Sequence, residues 1–244
     1  MRIRAVIFNV YGTLLHVGPP PGDAAARWRW LWENSLGRRP RLDLETFDVE
    51  VQASVAREKA RAAACGIQYP EVYWPEVLNE VAPEFRTLPR DARRGFEVAQ
   101  ARLARTTALM AGSGSVLRLL LTSGVVLGIA ANSQPYTVRE LDEALSAVGL
   151  GADVFQEDVA FWSYRHGFAK PDPHVFRLLS ARLRARGILP SEVLMVSNEL
   201  DLDLRPAIAF GWLAYQLRFD RGDSALPGGE WHSLAGWLDG RLPG

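Results

Sequence analysis

Six side chains in this sequence have the type and placement to do chemistry: Asn9, Tyr11, Asn132, Lys170, Asn198 and Asp203. Asn9 ends the apolar run Val6-Ile7-Phe8, and Gly12-Thr13 follows shortly after. That pattern delivers a polar group to the end of a buried strand and then turns the chain. Asn132-Ser133 follows the run Val125 to Ala131 in the same way, and Ser197-Asn198 follows Val193 to Val196. In open parallel sheets, the carboxyl ends of strands are where ligands bind. Lys170 opens Lys-Pro-Asp-Pro, and only Lys59 and Lys170 among the 28 basic residues are lysine. Lysine and arginine differ in size and donor geometry, so a lysine kept here points to a need for a compact ammonium. Each residue also has a plainer reading. Asn9 is then a turn residue, Lys170 a surface lysine and Asp203 a helix N-cap. Asn132 and Ser133 cap the next helix, whose first N–H groups would bind an anion. His16 and His166 have no partner at metal-ligand spacing and read as structural or surface residues.

The elements that must position these groups come in two kinds. From residue 16 to 105 the pattern is helical. A Pro/Gly break over His16 to Gly22 ends the first strand. Asp23 is placed to cap a helix carrying Trp28, Leu31 and Trp32 on one face. A longer helix runs from Leu44 to Cys65, with Val49, Val55 and Ala56 supplying part of its apolar face, and Gly66 stops it. A third opens at Pro70 and ends before Pro83, and a fourth runs from about Arg90 to Leu109. After that, strand and helix alternate. Strands are expected at Val125 to Ala131, Val159 to Trp162, Val193 to Val196 and Trp212 to Leu217. Helices are expected at Ser115 to Leu121, Tyr136 to Val148, Pro173 to Arg186, Arg205 to Phe210 and Ser233 to Leu238. Alternation of this kind implies an α/β fold with a Rossmann-like, doubly wound parallel sheet. An α-helical domain is inserted after its first strand, so the expected division is 1–15 and 106–244 against 16–105.

Composition excludes several classes. The formal net charge is zero, which gives no electrostatic case for nucleic acid or an anionic membrane. The apolar stretch Val116 to Ala131 is broken by Arg118 and Ser123-Gly124 and is too interrupted to span a bilayer. The single cysteine, Cys65, and an N-terminus without signal-peptide layout suit the cytoplasm. A small anionic molecule, a protein partner or a second copy of the chain are the partners left open.

Four stretches in order resemble the four motifs of the haloacid dehalogenase superfamily. They are Phe8-Asn9-Val10-Tyr11-Gly12-Thr13-Leu14, Gly128 to Ser133, Lys170-Pro171-Asp172-Pro173, and Met195 to Asn198 continuing through Asp203 to Gly211. The helical insert is similar to that superfamily's helical cap. The resemblance implies a hydrolase in which an Asp at the first strand end attacks phosphorus or carbon. A hydroxyl at the second strand end, a lysine in the third motif and acidic residues in the fourth complete the site, with magnesium in the phosphatases. Here Asn9 stands at the nucleophile, Tyr11 at the acid/base position as in the metal-independent dehalogenase branch, and Ala131 at the hydroxyl. Ser197-Asn198 replaces the usual Gly-Asp, while Lys170 and Asp203 remain, and Glu199 and Asp201 are acids that a shifted register would use. The resemblance therefore implies at most weak magnesium binding at Asn198 and Asp203. Three readings follow, in order: a catalytically weak or inactive homologue that binds a small anion or a partner; an active phosphatase or 2-haloacid dehalogenase; and an interaction module built on Trp28, Trp30, Trp32 and Trp74.

Overall fold

A computed structural model describes residues 2–218 and 225–243. The chain opens with β1 (Ala5–Phe8), every residue of which is buried. β2 (Leu15–Gly18) leads into α1 (Ala24–Leu36), α2 (Leu44–Ala64), α3 (Trp74–Val81), a short 3₁₀ turn and α4 (Arg90–Ala104). β3 (Thr106–Leu109) then pairs antiparallel with β2, with Gly18 opposite Thr106 and Leu15 opposite Leu109. The remaining chain alternates through α5 (Ser113–Thr122), β4 (Val126–Ala131), α6 (Pro135–Ser146), β5 (Ala160–Trp162), α7 (Pro173–Ala185) and β6 (Val193–Ser197). A π-helical turn at Leu200–Leu204 runs into α8 (Arg205–Ala209). β7 (Leu213–Leu217), β8 (Gly228–Gly229) and α9 (Trp231–Leu238) complete the order.

The main sheet has the order β5-β4-β1-β6-β7-β8, and each adjacent pair is parallel. β1 shows why both faces are covered. Val6 and Phe8 join one apolar cluster with α5 and α9, while Ala5 and Ile7 join another with α7 and α8. Alternate residues of a strand point to opposite faces, so a strand that is apolar throughout needs a helical layer on each side. The doubly wound expectation therefore holds.

The four helices between β2 and β3 have an apolar cluster of their own. Trp28 and Trp32, one helical turn apart, pack edge to face at 5.5 Å, and the Trp28 ring lies 4.6 Å from that of Phe47. Trp74 donates its indole N–H to Gln100. Only Trp30 of the four is strongly exposed, at 64 %, so an interaction surface built on all four is reduced to one ring.

Several local expectations need correction. The fourth helix stops at Ala104 because Thr106–Leu109 is drawn into the ladder with β2; for the same reason His16 to Gly18 is strand rather than linker. The third helix starts at Trp74, not Pro70, because the preceding backbone pairs with another segment: Ala169 N–H donates to Tyr69 O and Glu71 N–H to Gly167 O. On α2 the buried face is Phe47, Val51 and Ser54, while Val49 is exposed. Asp23 does not cap α1; its carboxylate takes the Arg27 guanidinium at 2.7 Å.

Candidate active site

β1 carries Asn9 to the carboxyl end of the sheet, between β4 and β6. Its backbone N–H still donates to Val196 O, at 3.2 Å, so the strand ladder fixes where the side chain emerges. The amide nitrogen donates to Tyr11 O at 3.1 Å, and the amide oxygen accepts from Lys170 Nζ at 3.2 Å. A carbonyl can only accept and an ammonium can only donate, so this pair of partners assigns the amide's orientation.

Lys170 is buried, and its ammonium also forms an ion pair with Oδ1 of the fully buried Asp203. The other oxygen of Asp203 accepts from Ser197 Oγ at 2.6 Å. Asn132 grips the backbone of the same lysine at two points. Lys170 N–H donates to its Oδ1 at 2.8 Å, and its Nδ2 donates to Lys170 O at 3.0 Å. Asn132 thus positions Lys170 through its backbone, with both ends of the Asn132 amide engaged there. A buried ammonium needs both a counter-charge and hydrogen bonds; Asp203, from the π-helical turn, supplies the charge, and Asn9, from the end of β1, a hydrogen bond.

The loop after Asn9 is shaped by Gly12. Its φ is +72°, and a Cβ there would lie 2.6 Å from Asn198 Nδ2. Both the left-handed backbone and the close approach require glycine. The approach lets Thr13 Oγ1 donate to Asn198 Oδ1 at 3.0 Å, and Asn198 Nδ2 donate to Glu199 Oε1 at 2.9 Å. Asn198 is a brace between the loop and β6. Asp201 is exposed and pairs with Arg205.

Tyr11 contributes only its backbone oxygen to Asn9. Its phenol turns away, donating to Glu140 Oε2 at 2.5 Å and accepting from Arg105 at 2.7 Å, with Thr137 Oγ1 at 2.9 Å. The guanidinium of Arg105 lies 4.6 Å from the Tyr11 ring centroid and bonds Glu140 at 3.2 Å. Burial drives the phenol far above its ordinary range, with the Arg105 charge opposing it. A proton so held is of no use as a general acid or base near neutrality.

The structure therefore brings Asn9, Lys170 and Asp203 together, makes Asn132 a positioning residue, and leaves Tyr11 and Asn198 as braces. Ala131 is buried and offers no hydroxyl. Ser133 Oγ does not stand in for it, because it turns back to Ala131 O at 3.3 Å. His166 stacks on Phe161 at 4.5 Å, and His16 is exposed on β2. Sequence reasoning missed Arg105 and Glu140. Each looks like an ordinary charge on an amphipathic helix, and only the fold buries them together. Ser197 was readable only as a substitution, although its hydroxyl is what holds Asp203.

The donor set does not fit magnesium. A hard dication wants several free, charged oxygens. The Asn9 amide oxygen is taken by Lys170, both Asp203 oxygens are engaged, and Asn198 Oδ1 accepts from Thr13. Among the described residues no three His, Cys, Asp or Glu side chains are grouped to hold a metal. Likewise, no helix among them is long and apolar enough to cross a membrane.

A family model for haloacid dehalogenase-like hydrolases matches residues 3–211. No curated protein matches the chain. Among solved structures, a 2-haloacid dehalogenase from Pseudomonas syringae pv. Tomato DC3000 is similar at 21% identity and a TM-score of 0.61, over 96% of this chain and 99% of that one. A HAD phosphatase from Thermococcus onnurineus is similar at 20% identity and a TM-score of 0.59, over 98% and 100%. A HAD-hydrolase from Bacillus subtilis, YfnB, bound to magnesium, is similar at 18% identity and a TM-score of 0.53, over 98% and 100%. At these identities the likeness to solved structures shows the fold.

Proposed function

The chain belongs to the haloacid dehalogenase-like hydrolase family, and from that premise we propose that it is a member that does not hydrolyse, holding a small anion at Lys170 instead. The observation that carries this reading is the pairing of Asn9 with Lys170 and of Lys170 with Asp203. Covalent hydrolysis on this fold needs a carboxylate at the end of β1 to attack the substrate. The Asn9 amide oxygen bears no full charge, and the Lys170 ammonium draws its electron density further away. Among the described residues, no hydroxyl or carboxylate side chain is hydrogen-bonded to the Asn9 amide to take over. Lys170 and Asp203 cancel, so the centre is neutral where an aspartate at position 9 would make it negative. A chloride, acetate or phosphate ion is therefore not repelled, and the ammonium has a third N–H to offer it. Asn9 is only 9 % exposed, and on this reading an anion enters when the four-helix unit, acting as the cap, moves off the sheet. Magnesium plays no part, for the reasons of donor chemistry given above. Cys65 is free and exposed, which suits a reducing cytoplasm.

The test is a panel of 2-haloacids and phosphate monoesters, each with and without magnesium, for the natural chain and for Asn9→Asp. The expected result is no turnover by the natural chain, together with saturable binding of at least one of the three anions. Turnover at an ordinary enzymatic rate, on the order of 1 per second or more, overturns the proposal. A second reading is favoured by the intact Lys170–Asp203 pair: a working hydrolase, of dehalogenase or phosphatase type, in which Asn9 is deamidated after synthesis. Peptide mass spectrometry across Asn9 separates the two, since the second requires the acid mass.

A further inference from the structure

Away from the Asn9 centre, a cleft of about 560 Å³ lies where α4 meets the start of α6 and the turn at Tyr164. A second cavity of about 370 Å³ adjoins it, sharing Arg94, Glu97, Pro135 and Tyr164. None of the residues of the Asn9 centre lines either cavity. Glu97 is 5 % exposed, and among the described residues its carboxylate has no hydrogen-bond or ion-pair partner. The charges of Arg94 and Arg93 act on it only through space. Buried carboxylates are normally paired, so a carboxylate left open on a cavity wall points to a ligand. Arg94 is exposed on the same helix face, three residues earlier, and is likewise without an ion-pair partner among the described residues. Residues at that spacing are neighbours on a helix. Pro135, Tyr136 and Tyr164 supply apolar and aromatic wall.

We propose that this cleft is a second ligand site and that it takes a small zwitterion of the α-amino-acid type. The ammonium sits on Glu97, the carboxylate on Arg94, and an apolar or aromatic side chain against Pro135, Tyr136 and Tyr164. A simple cation would pair Glu97 but meet the nearby guanidiniums of Arg93 and Arg94, whereas Arg139 and Arg165, also on the wall, are paired with Glu143 and Glu157. A simple anion would suit those guanidiniums and leave Glu97 unpaired. A zwitterion satisfies both. Burial pushes the Glu97 carboxyl up to about 7, and a ligand ammonium offsets the cost that raises it.

The experiment titrates the full chain with L-phenylalanine, with 3-phenylpropionate, which lacks the ammonium, and with phenethylamine, which lacks the carboxylate. Calorimetry gives affinity, and melting temperature is followed for each variant. L-phenylalanine is expected to bind saturably, and each singly charged analogue at least about tenfold more weakly. Glu97→Gln and Arg94→Ala should each weaken L-phenylalanine by about tenfold or more without lowering the melting temperature. Asn9→Asp should leave its affinity unchanged, which separates this site from the Lys170 centre. No saturable binding of L-phenylalanine overturns the proposal. So does undiminished binding by Glu97→Gln, or equal binding of 3-phenylpropionate.

Discussion

At the scale of single residues, Lys170 decides what the site can be. Its ammonium is buried beside one carboxylate and one amide, and removing it strands the charge of Asp203 in the interior. Breaking a buried pair from one side is far worse than replacing both partners. Lys170→Met should therefore lower stability by about 3–5 kcal/mol, while the double change Lys170→Met with Asp203→Leu should recover much of that loss. Urea unfolding of the two singles and the double, read as a mutant cycle, checks this. A loss in the double variant equal to the sum of the two single losses would mean that the pair is not coupled. Arg105 and Glu140 make a similar case nearby. The Glu140 side chain is fully buried and takes both Tyr11 and Arg105, so Tyr11→Phe should cost about 1–2 kcal/mol through the lost phenol bonds alone.

At the scale of elements, the turn between β1 and β2 is set by backbone. Gly12→Ala forces a Cβ into Asn198 at a left-handed φ, and a cost of about 1–3 kcal/mol is expected, measurable as a fall in melting temperature. This turn was legible in the sequence, because Gly after a buried apolar run has few other uses. The strand ends carrying Asn9, Asn132 and Ser197 were legible for the same reason: apolar runs that stop on small polar residues. β3 was not. Thr106 to Leu109 follows a helix without a break, and it is strand only because β2, distant in sequence, pairs with it. Local propensity cannot register a partner that far away. The start of α3 failed similarly, since the pairing of Pro70 with Phe168 holds that stretch extended. The π-helical turn that swings Asp203 inward left no periodic trace, and an N-cap reading of Asp203 was the natural one.

At the scale of the whole molecule, Glu97 ties stability to pH. Burial raises its carboxyl from 4.5 to about 7, against the pull of Arg94 and Arg93. Between those values the folded chain keeps a proton that the unfolded chain has already released. Stability must then fall as pH rises across that window, by at most about 3 kcal/mol. Glu97→Gln, which cannot ionise, should lose this component while keeping the contribution of every other group. Unfolding free energies of both proteins at several pH values between 4.5 and 7 give the difference directly, and parallel curves would refute the assignment. The titratable and charged residues that line the cavities around Glu97 from other elements, Tyr73, Glu76, Tyr136, Arg139, Asp142, Tyr164 and Arg165, are common to both proteins and cancel.

The ribbon of β2 and β3 has an architectural consequence of its own. The chain leaves the sheet layer and re-enters it through two antiparallel strands in register, with Gly18 directly opposite Thr106. In engineering terms, everything from 19 to 105 is a single hairpin loop that happens to contain four helices. A two-residue turn of Asn-Gly type would close the same ladder. The helical unit is thus a cassette with both ends on one connector, open to exchange for a shorter or foreign one without rethreading the sheet.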